Sequence, residues 1–140
     1  MIDVENIVYT NVSDAIRNAF PNCECSGTYA ATPPSFPFAS IVEEDNYVYR
    51  ESQDENIEND VRVMYAINVY SNKLGTNKSE AKKILAVADE AFGKLNFTRT
   101  MRSQIPNEDR TIYRLIARYE GVVHKGITED GTTTFYVYRN

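Results

Sequence analysis

Near the start of the chain, apolar residues recur every three or four positions: Val4, Ile7, Val8, Val12, Ala15, Ile16, Ala19 and Phe20. That spacing lays them along one stripe of a helix over 3–20. Pro21 cannot continue the hydrogen-bond ladder and restricts the residue before it, so the helix should stop near Phe20. A different period governs 61–70, where Val61, Val63, Tyr65, Ile67 and Val69 alternate with Arg62, Met64, Ala66, Asn68 and Tyr70. Period two with one apolar face predicts a central strand. The helical period returns in Ala81, Ile84, Leu85, Ala88, Ala91, Phe92 and Leu95, preceded by Asn77 as a cap and Glu80 at the capping-box position.

Shorter signals fill the gaps. Residues 23–29 could pair as a strand, and Pro33, Pro34 and Pro37 then stiffen an extended connection. Residues 38–43 read as a strand with Ala39 and Ile41 on one face and Phe38 and Val42 on the other. Tyr47, Val48 and Tyr49 resume the sheet after a turn at Asp45-Asn46. Strands are expected at 97–104, at 111–123 and at 132–138, separated by the Pro106 turn and by a turn bracketed by Gly126 and Gly131. On the second of these, Tyr113, Leu115, Ala117, Tyr119 and Val123 share a face opposite Arg114, Arg118 and Glu120. Helix, strands, helix, strands without regular alternation predicts one α+β domain over 1–140. Two main amphipathic helices should pack on one face of a largely antiparallel or mixed sheet, with a doubly wound fold as the lesser alternative.

Composition refines this outline. At 140 residues, 42% hydrophobic and 25% charged, the chain can build a core without metals or disulfides. Its net charge of -5 argues against gripping nucleic acid through phosphates, yet suits a wall that DNA slides past. No apolar run approaches the ~20 residues of a bilayer span and none follows a basic N-terminal segment, so neither membrane insertion nor export is expected. Cys23 and Cys25 are too close for an unstrained local disulfide and lack a second pair of zinc ligands, which suggests a reducing cytoplasm.

The acidic charge is concentrated. Residues 51–60 hold Glu51, Asp54, Glu55, Glu58 and Asp60 with a single aliphatic residue, which predicts an exposed loop or hairpin arm. An EF-hand pattern is missing there, so a solvated loop is preferred to a calcium site. His124 is the lone histidine and reads as a strand-end residue; phosphate-loop, dinucleotide and serine-hydrolase motifs are absent. No catalytic residue, metal ligand or cofactor is therefore expected. Among ten tyrosines, Tyr65, Tyr113 and Tyr119 fit an intrachain core, whereas Tyr47, Tyr49, Tyr70, Tyr136 and Tyr138 are candidate interface aromatics.

The succession Ala19-Phe20-Pro21-Asn22, Pro33-Pro34-Ser35-Phe36-Pro37, Met64-Tyr65-Ala66-Ile67-Asn68-Val69-Tyr70-Ser71-Asn72-Lys73, Ser79-Glu80-Ala81-Lys82, Gly93-Lys94-Leu95-Asn96-Phe97-Thr98-Arg99-Thr100 and Ile112-Tyr113-Arg114-Leu115-Ile116-Ala117-Arg118-Tyr119 resembles a family. It is that of the tail terminator or tail-completion proteins of siphophages and prophages of Gram-positive bacteria. The resemblance implies a non-enzymatic α+β subunit that forms a ring, often of six copies, capping the tail tube and docking the head connector. Partners would be the chain itself, the tail tube protein and the connector, with DNA only as passing cargo. The location would be the virion, and the host cytoplasm during assembly. In that setting the acids of 51–60 would face the ring lumen or a neighbouring subunit. A neck protein on the portal side and a small metal-binding enzyme or regulator are the competing expectations.

Overall fold

The computed structural model describes residues 3–30, 32–48, 60–127 and 133–138, with 48, 125–127 and 133–138 as backbone. The elements are α1 (Glu5–Ala19), β1 (Glu24–Ser26), β2 (Phe38–Val48), β3 (Asp60–Ser71), α2 (Asn77–Lys94), β4 (Thr98–Ile105), β5 (Tyr113–Ile127) and β6 (Thr133–Tyr138). The strands form one six-stranded sheet in the order β1-β2-β3-β5-β4, with β6 also on β5. Only β1 runs parallel to its neighbour. The fold is α+β with a mixed sheet.

Both helices lie on one face. Val4, Val8, Val12 and Ile16 of the first helical stripe meet Ile84, Leu85, Ala88 and Phe92 of the second over the odd-numbered residues of β3 and β5. Four-residue spacing on the helices and two-residue spacing on the strands bring these side chains into one layer, whose burial is the main stabilising term. The stripe on α1 is narrower than its sequence suggests, since Ile7 is half exposed. Helix α1 stops before Pro21, as expected.

Three local expectations are corrected. The turn at Asp45-Asn46 is replaced by continuous β2 with a bulge between Glu43 and Asp45. Glu43, in phase with Ala39 and Ile41, pairs with Tyr65; the extra residue, Glu44, reverses the alternation beyond it, so that Asn46 pairs with Val63, and both lie opposite residues of the helix-side core. Secondly, the capping box at α2 does not form. Thr76 is the N-cap without a side-chain bond. Asn77 Nδ2 instead donates to the Thr111 carbonyl at 3.1 Å, and Glu80 Oε1 accepts from buried Ser71 at 2.7 Å. Asn77 Oδ1 also accepts the adjacent Lys78 amide at 2.8 Å, and the two side chains tie α2 to the segment just before β5 and to the end of β3. Thirdly, β1 is three residues long, and β5 runs on past Val123 to Ile127.

The other sheet face carries no helix among the described residues. Tyr29, from the connection between β1 and β2, reaches it where the Arg114 guanidinium lies 5.6 Å from the Tyr29 ring and 5.3 Å from that of Tyr70. Phe38 stands 6.2 Å from Tyr70. These long side chains close over that corner of the sheet.

Candidate interaction surface

The uncovered face is built by the even-numbered residues of β3 and β5, and its charges are matched across strands. Arg62 pairs with Glu120 at 2.7 Å, Arg118 with Glu44 at 3.0 Å, and Arg114 donates twice to Asn68 Oδ1 at 3.1 and 2.9 Å. Such partly exposed pairs add little stability, about 0–1 kcal/mol each, but they neutralise a face that would otherwise be strongly basic.

At one end of the sheet the register brings positions of several expected interface tyrosines into neighbouring rows. Tyr47 is 42% exposed and sits opposite Arg62, which sits opposite Val122, which in turn sits opposite Tyr138. In the next row Asp60, His124 and Tyr136 occupy successive register positions. Because Val122 to His124 are paired with β3 on one side and β6 on the other, β6 lies on the same edge of β5 as β4, end to end with it. Beyond the Asp60 row, β5 and β6 continue as a ribbon through Lys125↔Phe135, Gly126↔Thr134 and Ile127↔Thr133.

Two expected site residues are corrected. Tyr70 is 1% exposed, packed against Phe38 beneath Arg114 at the opposite end of β3, so it belongs to the intrachain packing. Burial pushes its phenol above the usual value, opposed by Arg114. Asp60 is the first residue of β3 rather than a loop acid, and its Oδ1 is 2.6 Å from His124 Nδ1. That cross-strand pair depends on register and was invisible in sequence. Tyr49, Glu51, Asp54, Glu55 and Glu58 fall outside the described residues, as do the side chains of Tyr136 and Tyr138.

A second acidic group was missed entirely. Asp3 and Glu5, at the start of α1, and Glu43, on β2, place carboxylate oxygens within 4.8 Å of one another. Their sequence separation hides them; the packing of α1 over β2 brings them together. Burial first, then the charges of Glu5 and Asp3, push the Glu43 carboxyl up to about 7. Cys23 is buried in the core, and Cys25 lies half-buried against it. No described helix is long and apolar enough to cross a membrane. No protein-family model and no curated protein matches this chain.

Proposed function

We propose that this chain is a structural virion-assembly protein of the tail-terminator type, capping a phage tail tube and joining it to the head connector as a ring of copies. The observation that carries this reading is the β5–β6 ribbon. Two strands alone are marginal in water, and past Asp60 no third strand flanks these two among the described residues. A neighbouring copy is the natural partner for such an extension, because heterologous contacts repeated around an axis close into a ring.

Three further features favour the reading. The helices cover one sheet face, and among the described residues no helix lies on the other, so a subunit can present strands to its neighbours. Exposed Tyr47 lies in the same cross-strand row as the start of the ribbon, where an amphipathic ring suits a protein interface. His124 is engaged by Asp60 across the sheet.

The test mixes the purified chain with growing tail-tube subunits and, separately, with connector rings. Tube growth should arrest at a defined length and the capped tubes should then bind connectors. Unchanged tube growth together with connector binding would move the role to the portal side, and binding to neither would end the proposal.

A further inference from the structure

Lysine is distributed unevenly over this chain. Four of its six lysines, Lys73, Lys78, Lys82 and Lys83, fall between the end of β3 and the second turn of α2, and all four are exposed. Folding does not explain their placement. Cations near a helix start oppose its dipole, and Lys78 and Lys82 stand four residues apart, where like charges repel. Glu80, the acid of that first turn, is held by Ser71 at 2.7 Å and lies 4.0 Å from Lys73. Among the described residues, no salt bridge uses Lys78, Lys82 or Lys83. These three lysines line an open groove of about 510 Å³ with Thr76, Ser79 and Ala86, and no described carboxylate lines it. Leu74, beside Gly75 of the groove, is 89% exposed.

The chain also carries a segment of matching chemistry. Glu51, Asp54, Glu55 and Glu58 set four carboxylates against the four ammonium groups, and Ile57 is the one aliphatic residue among them. This segment leaves from Val48 and returns at Asp60, which are close neighbours because Val48 pairs with Val61. An out-and-back path through 49–59 reaches about 20 Å at most. The lysines stand at the other end of β3, whose residues from Asp60 to Ser71 span about 36 Å. The bond between Ser71 and Glu80 fixes the start of α2 there. A chain therefore cannot lay its acids on its own lysines, whereas a neighbouring copy can.

We infer that the lysine groove at the start of α2 is the docking surface for residues 51–58 of a second copy of this chain, with carboxylates meeting lysines and Ile57 meeting Leu74. The contact joins opposite ends of the molecule. It is thus heterologous and repeats from copy to copy, closing a ring when the rotation permits. In naming a contact within the ring proposed above, it rests on that reading. Nucleic acid is the other polyanion that suits such a patch, but phosphate binding calls for a basic surplus and this chain has a net charge of -5.

Carbodiimide joins lysines to carboxylates that touch. A millimolar mixture of unlabelled and isotope-labelled chain should give cross-links from Lys78, Lys82 or Lys83 to residues 51–58 in which one peptide carries the label and the other does not. Cross-links confined to single chains, mixed ones that avoid these lysines, or none at all would overturn the inference. Changing Lys78→Glu, Lys82→Glu and Lys83→Glu together should leave thermal unfolding cooperative, since all three are exposed, and should weaken self-association at least tenfold by sedimentation equilibrium. Adding the converse variant, with Glu51, Asp54, Glu55 and Glu58 replaced by lysine, should restore association, because each variant then offers the other the opposite charge. If the lysine variant lost binding to duplex DNA while associating normally, the groove would belong to nucleic acid and the inference would fall. Capping of tail tubes by copies that make no such contact would also sink it and leave the assembly reading standing. Association through this contact without binding to tubes or connectors would do the reverse.

Discussion

Glu43 shows how far tertiary surroundings can move one side chain from its ordinary chemistry. Its folded-state carboxyl, pushed up to about 7, titrates well above its value of 4.5 in an unfolded chain. Between those two values the folded protein holds more protons than the unfolded one, so stability declines as pH rises through the window and levels off above about 7. Glu43→Gln should remove this contribution. Urea unfolding should find the variant more stable than the parent at pH 8, by on the order of 1–2 kcal/mol once partial solvent exposure is discounted, and indistinguishable near pH 4.5. An equal difference at both pH values would refute the assignment of the shift to Glu43. Tyr119 is the contrasting case: burial and its bond to Asp89 at 2.7 Å both hold it protonated, and it joins β5 to α2.

Among the elements, the junction from α2 to β4 is the most tightly specified. Asn96 adopts φ 65°, a left-handed conformation that asparagine tolerates better than most residues. The Phe97 amide then bonds the Phe92 carbonyl at 3.0 Å and the Asn96 amide bonds that of Gly93 at 3.0 Å. This is a Schellman ending, and its customary apolar contact is made by the rings of Phe92 and Phe97, 5.7 Å apart. The turn thereby delivers Phe97 beneath Gly121 of β5. A Cβ at Gly121 would stand 2.7 Å from Phe97 Cδ1, and that ring is pinned by Tyr65 and Phe92. Gly121→Ala should therefore destabilise the protein by about 1–3 kcal/mol. In a Phe97→Leu background the same change should cost measurably less by thermal unfolding; additivity of the two would show that the contact is not the cause.

At the scale of the whole molecule, the acids of 51–60 no longer act as one set. Asp60 belongs to β3 and to His124, so the lumen or interface role proposed for this segment falls on Glu51, Asp54, Glu55 and Glu58. Replacing those four with the corresponding amides should leave the unfolding free energy within about 0.5 kcal/mol of the parent, the usual range for substitutions of solvated polar residues. Ring formation by light scattering, or DNA passage in assembled particles, should change. A variant that assembles and infects normally would remove these acids from the function.

Periodicity alone determined where the two helices and the central strands lie and which side chains they bury. Those patterns repeat over many residues, and a single buried face enforces them: Val8, Val12 and Ile16, or Val63, Tyr65 and Ile67, have no other stable placement. The sequence also showed the concentration of acids in 51–60 and the lack of familiar catalytic motifs. The β2 bulge, the pairing of Asp60 with His124, the burial of Tyr70 and the meeting of Asp3, Glu5 and Glu43 were decided only by tertiary structure. Each depends on register or on contacts between residues far apart in the chain, and one inserted residue such as Glu44 is enough to turn a side chain from one face of the sheet to the other.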